Sequence, residues 1–261
     1  MRKESRFWLG LACSLSMLVF ASAAFAGDVS FDDPVGDDNG PGEYVYPTDA
    51  VYTAGSFDLV KFELTSKGSK ANVSATVNAN LEDPWGMDVG FSTQMIFVFI
   101  DNAEGGHTGA PDGLNVKFAE GSEWDKLVVL SPQTKARVLQ EVESKTGDFA
   151  KDIVVPARVR GSGRTITGSV KLEELGEGDP ATWGYQVVVQ SNEGFPADND
   201  FLTRRVNEFE GQHRFGGGSD FQCDPHAMDI LGDQAAQLAY ECSADGEATK
   251  AATLVMQKAG S

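Results

Sequence analysis

The chain is poor in the residues that most often announce chemistry. Three cysteines and three histidines are scattered through 261 residues. No C-x-x-C pair, C-x-x-C-H run or His-rich spacing accompanies them, which excludes a zinc ribbon and an attached c-type haem. Lys and Arg are few as well, 21 against 39 Asp and Glu, for a formal charge of −18. No basic cluster of useful size lies downstream of residue 26. Neutralising a phosphate backbone needs such a cluster, so nucleic acid is excluded as a partner. No apolar run past residue 26 approaches the roughly 20 residues of a membrane-spanning helix. A G-x-S-x-G elbow, a zinc-protease signature and a phosphate-binding glycine loop are all missing. With so many acids any carboxylate pair could be nominated for glycoside hydrolysis, and none stands out. The expectation is a protein that is not an enzyme.

Residues 1–26 differ from all that follows. Arg2, Lys3 and Arg6 precede an apolar stretch from Leu9 to Phe20, and Ala24-Phe25-Ala26 is a small-x-small cleavage signal. This predicts a signal peptide cut before Gly27 and a mature chain that is secreted or periplasmic, with no lipobox before Cys13 to suggest lipidation. Cys223 and Cys242 then remain, and two cysteines in an exported chain allow a single pairing, so a disulfide between them is expected.

What is present reads as strands. A 41% share of hydrophobic residues is enough for a core. Residues 57–64 and 71–77 alternate apolar with polar around the turn Ser66-Lys67-Gly68-Ser69, which predicts a hairpin. Met95-Ile96-Phe97-Val98-Phe99-Ile100 is continuously apolar, as a strand covered on both faces would be. Further strands are predicted at 125–130, 136–142, 153–159, 165–171 and 183–189. Short helices are confined to 172–175 and 234–241, and 248–256 could be a strand or a helix. Helical patterns between strands are too few for a parallel α/β fold. The fold class is all-β, an antiparallel β-sandwich with long loops, forming one domain over 27–261.

Two stretches carry candidate sites. Asp33-Pro34-Val35-Gly36-Asp37-Asp38-Asn39-Gly40-Pro41-Gly42 packs oxygens between glycines and prolines, so several must converge in one loop. Calcium takes six to eight oxygen ligands from such loops, and Asp33, Asp37, Asp38 and Asn39 could supply them. The spacing is not that of an EF-hand, and an acidic surface turn is the alternative. Asp101 to Gly106 and Asp198-Asn199-Asp200 are further oxygen-rich turns that could complete the site or hold a second ion, with ordinary turn chemistry the favoured reading. The second group is aromatic. Trp85, Phe91, Trp124, Trp183 and Tyr185 could stack on a sugar ring, although most aromatics beside sandwich strands pack in the core. Trp85 is the preferred exception because Asp83-Pro84-Trp85-Gly86 places it in a turn. Trp85, Phe91, Gln94 and Trp183 form the nominated carbohydrate set, with Arg205 as a further hydroxyl partner.

Three blocks taken together bring a resemblance: Asp33 to Thr48; Asn80-Leu81-Glu82-Asp83-Pro84-Trp85-Gly86 continuing to Gly90-Phe91-Ser92-Thr93-Gln94; and Phe215-Gly216-Gly217-Gly218-Ser219-Asp220 before Pro225 to Leu231. In this order they resemble the C-terminal domain of glucodextranase. That domain is similar to one in bacterial and archaeal amylopullulanases and related to DOMON-type and family 9 carbohydrate-binding sandwiches. The resemblance implies a jelly-roll-like sandwich that binds an α-glucan or cell-surface polysaccharide, hydrolysis belonging to a separate catalytic domain for which this chain has no room. Two alternatives stay open. One is an envelope protein whose sandwich docks to a protein partner. The other, from the DOMON relationship, is haem held by His107 or His226 with Met87 or Met228.

Overall fold

The computed structural model describes residues 27–197 and 199–259. The expected signal segment 1–26 and Asp198 lie outside the described residues. Two sheets face each other. The first runs in the order Val29–Asp32, Leu59–Lys67, Lys70–Val77, Thr165–Lys171, Arg158–Ser162, with every neighbour antiparallel. The second runs Asp229–Ile230, Gly184–Ser191, Gln94–Asp101, Lys126–Leu130, Ile153–Val154. Its last pairing is parallel, and Gln257–Lys258 also pairs with Gly184–Ser191.

Alternation decides what each sheet buries. Phe62, Leu64, Val73, Ala75 and Ile166 of the first sheet meet Ile96, Val98, Ile100, Val187 and Val189 of the second in one core. The intervening residues of Gln94–Asp101, Met95, Phe97 and Phe99, point the other way, into a second core closed by Val138, Val142, Trp124 and Leu254. The central strand is therefore buried on both faces, as its unbroken apolar run predicts, and pairs with Gly184–Ser191 over eight residues. Fully burying each large apolar side chain stabilises by roughly 1.5–3 kcal/mol.

Two expectations need correction. Residues 136–142 are not a strand but belong to the α-helix Lys135–Lys145. Val138 and Val142 recur at four residues and share the buried face, while Leu139 between them is 44% exposed. Thr134 caps the helix by accepting from the Arg137 N–H, and Glu141 pairs with both Arg137 and Lys145 at 2.8 and 2.9 Å. The β-branched valines suggested a strand, but their spacing is helical. Residues 153–159 are likewise not one strand. Ile153–Val154 ends the second sheet and Arg158–Ser162 edges the first, with the chain crossing between layers at Pro156, which has no N–H to give a ladder. Gly168 leaves room for that crossing, since a Cβ there would fall 2.8 Å from the Pro156 ring.

The C-terminal ambiguity resolves into strands Ala248–Lys250 and Ala252–Leu254, the latter parallel to Val116–Phe118. Cys223 and Cys242 form a disulfide with a Cα separation of 5.7 Å. No helix among the described residues is long and apolar enough to cross a membrane. If Thr134 caps a helix, Thr134→Ala should cost about 1 kcal/mol in denaturant unfolding, and Leu139→Ala less than about 0.5 kcal/mol; the reverse order would speak for a strand.

Candidate functional site: a carboxylate seam and an aromatic cleft

The acidic loop enters from Val29–Asp32 and folds over the edge of the sandwich where the two sheets meet. Gly40 makes this turn possible: its φ is +59°, and a Cβ would collide with the Tyr44 ring. Gln234 clamps the loop by donating to the carbonyls of Asp37 and Gly40. Inside it, one oxygen from each of Asp33, Asp37 and Asp229 lies within 4.8 Å of the other two. Asp229 ties the layers together, its Oδ2 accepting from the Leu59 N–H at 2.6 Å. Asp33 Oδ1 accepts from the Gly232 N–H at 2.7 Å. Asp58 stands alongside, accepting from Gly36 N–H and Asn78 Nδ2, both at 2.9 Å.

These carboxylates are incompletely satisfied. Asp33 Oδ2, Asp37 Oδ1 and Asp58 Oδ1 are buried with no hydrogen-bond partner among the described residues. Burial, with mutual repulsion added, pushes Asp33 up to about 7 and Asp229 up to about 10. Burial raises Asp37 and Asp58 as well. A set of inward-facing oxygens, unpaired and costly when ionised, is what a hard cation would satisfy.

Of the four nominated ligands, Asp33 and Asp37 converge, and Asp38 is not in that set of carboxylates. Asp38 accepts from the Tyr46 hydroxyl instead, and Asn39 Nδ2 donates to the Gly42 carbonyl. The third carboxylate of the set, Asp229, was missed. Its signal was a lone acid inside the apolar run Ala227-Met228-Asp229-Ile230-Leu231.

Tyr46 leads from the seam to a cleft. Its ring packs edge-on against Phe57 and Phe215, both of which contact Tyr52, and Tyr52 meets Trp85 edge-on at 6.2 Å. The three sequence blocks thus converge in space. Trp85 is held by Asp83, whose carboxylate accepts from the N–H groups of Met87 and Asp88 at 2.8 and 2.9 Å. It is 39% exposed and lines a cleft of about 540 Å³. Phe195, 94% exposed, stands in the same lining with Gln133, Asn192, Glu193 and Arg204. Glu193 and Arg204 are paired at 2.9 Å, and Gln133 donates to Asn192 at 3.1 Å. The Nε of Arg204 and the hydroxyl of Tyr52 are buried without partners among the described residues.

The rest of the nominated carbohydrate set is withdrawn on burial. Phe91 and Trp183 are packed in the inter-sheet core, and Gln94 is buried with its amide donating to the Ser56 carbonyl. None offers a face to a sugar. Trp124 and Tyr185 are buried too, and Arg205 is locked on Asp200. Phe195, Glu193 and Arg204 were not singled out, since neither periodicity nor turn chemistry marks a loop residue that reaches a cleft formed by distant segments. The haem alternative loses the buried one of its two histidines. His226 is buried with its ring nitrogens facing Val206 N–H and Asn115, and His107 is bound to Asp152.

A family model described as the C-terminal, SLH-like binding module of glucodextranase matches residues 29–256. No curated protein matches the chain.

The raised carboxyl values fix a pH dependence. An acid that holds its proton more tightly when folded favours the folded state fully below its unfolded value, near 4, and loses that contribution as pH rises toward the folded value. The window runs from about 4 to about 7 for Asp33 and to about 10 for Asp229. Chelator-treated protein should therefore melt at a lower temperature at pH 8 than at pH 5.5, and Asp229→Asn should flatten this slope. A melting temperature that rises over the same interval would contradict the seam's electrostatics.

Proposed function

Because the chain belongs to the family of C-terminal, SLH-like binding modules of glucodextranase, we propose that it is a secreted or periplasmic, non-catalytic module that binds carbohydrate in the Trp85 cleft and is stabilised by calcium at the carboxylate seam. The observation that carries this reading is the half-exposed Trp85. A flat aromatic face fixed by Asp83 matches the C–H face of a sugar ring, and Gln133, Asn192, Glu193 and Arg204 surround it with the donors and acceptors that hydroxyls require. The ligand class is an α-glucan or a cell-surface polysaccharide.

Calcium enters through the chemistry of Asp33, Asp37 and Asp229. They offer hard oxygens only, and no lysine or arginine forms an ion pair with them among the described residues. When bound, the ion would supply the positive charge that these carboxylates lack. The aromatic path through Tyr46, Phe57 and Tyr52 supports a link to the cleft, because ordering the loop fixes the ring on which Trp85 rests.

The test is calorimetric titration of chelator-treated protein with Ca²⁺, followed by a panel of soluble glucans. Calcium at a hundredfold excess over its Kd should stabilise the wild type by about 2.7 kcal/mol, and the double variant Asp33→Asn/Asp229→Asn should lose that increment. Trp85→Ala should weaken glycan binding at least about tenfold while calcium still binds and stabilises the variant. Absence of any glycan heat in the calcium-loaded wild type would overturn the carbohydrate reading.

A further inference from the structure

The Trp85 cleft does not end at Gln133. That side chain also lines a second depression, of about 200 Å³, beside Thr134 and Val138. Val89, Arg158 and Val159 are in turn shared between this depression and a third, of about 310 Å³, which extends to Arg160. The loop from Trp85 to Gly90 contributes to all three: Trp85 and Met87 to the first, Val89 to the second, Asp88, Val89 and Gly90 to the third. Three neighbouring depressions thus lie along that loop, between the aromatic cleft and the edge strand Arg158–Ser162. The far end of this row is tightly built, for Gly161 donates to the Val89 carbonyl at 2.7 Å, and a Cβ on Gly90 would fall 2.5 Å from the Gly161 oxygen.

The far end also has an unusual charge. Seven arginines follow residue 26. Five are engaged: Arg137, Arg204 and Arg205 with carboxylates, Arg164 with Val77 and Asn78, Arg214 with the Phe209 carbonyl. The guanidinium groups of Arg158 and Arg160 have neither a hydrogen bond nor an ion pair among the described residues, their backbones being paired in the sheet. Both residues are exposed, two positions apart on one face of the strand, hence about 7 Å apart along it. Their cross-strand neighbours are Ser169 and Thr167, which bring no charge. Asp88 is the one carboxylate lining the third depression. Arg204, at the other end, is already neutralised by Glu193.

We infer that these depressions form one polysaccharide site in two parts, with a sugar ring stacked on Trp85 and an anionic substituent of the same polymer, a carboxylate or a phosphate, held by Arg158 and Arg160. This rests on the carbohydrate reading above and narrows it from glycans in general to an acidic polysaccharide. Two adjacent guanidinium groups present forks that match the oxygens of either anion. In a chain of net charge −18 a polyanion gains nothing from the overall field, so local cations at the site must provide the attraction.

The test compares calcium-loaded wild type, Trp85→Ala and Arg158→Gln/Arg160→Gln by calorimetry. Three polymers of matched length are used: a neutral glucan, a glucuronate-containing polysaccharide and a glycerol phosphate polymer. Wild type should bind at least one acidic polymer at least about tenfold more tightly than the neutral one, and the double variant should lose that preference while keeping its neutral affinity. Which acidic polymer shows the effect tells carboxylate from phosphate. Equal affinity of wild type and double variant for both acidic polymers would overturn the inference, leaving the arginines as charges that guard an exposed sheet edge. If neutral binding persists in that case and falls in Trp85→Ala, the carbohydrate reading still stands. If no polymer of any kind binds, both fail.

Discussion

The hydrogen bond from Leu59 N–H to Asp229 is the contact on which this structure turns. It joins a strand of each sheet at the side where the sandwich is not closed by a ladder, and it does so with a carboxylate that burial has made reluctant to ionise. Asp33 repeats the device by donating its N–H to the Val60 carbonyl while accepting from Gly232. Two buried acids thus serve as staples between layers. Elsewhere the layers are joined by apolar packing, which is strong but not directional; at this edge the relative position of the sheets is set by hydrogen bonds with defined geometry.

The position of the staples matters because the loop between them, from Asp33 to Asp58, contributes Tyr46, Tyr52 and Phe57. These rings, with Phe215, form a wedge of edge-on contacts whose outer member supports Trp85. An aromatic exposed for a ligand has to be held by something other than its own burial. Here the ring rests edge-on against Tyr52 and His213, while Asp83 closes the turn that carries it by accepting from the N–H groups of Met87 and Asp88. A site built this way sits on loops yet keeps the rigidity of the sheets beneath it.

Periodicity made the sandwich legible in the sequence: the hairpin at 59–77, the double-faced strand 94–101 and its partner 184–191 each follow from where apolar residues fall. It misled where a β-branched helix imitates a strand, at Val138 and Val142, and where a proline divides one apolar run between two sheets, at Pro156. The candidate sites were only half legible. Asp33 and Asp37 lie in one loop and could be read together, whereas Asp229 is brought to them by folding across nearly the whole chain. Likewise Trp85 stands in a recognisable turn, but Glu193, Phe195 and Arg204 reach its cleft from another segment. Local chemistry is written locally; convergence is not. Phe91, Gln94 and Trp183 show the complement, since nothing in an aromatic's or glutamine's own neighbourhood says which side of a strand end it will occupy.

The separation of Asp33 from Asp229 also has a temporal meaning. A contact spanning that much chain carries a large loop-closure entropy, which favours its closing late, once packing formed earlier holds its partners. Interactions absent from the folding transition state do not hasten folding; they slow escape from the native state. The staples at the sandwich edge therefore act as a latch. Lifetime in the folded state would then be governed by how slowly that latch opens.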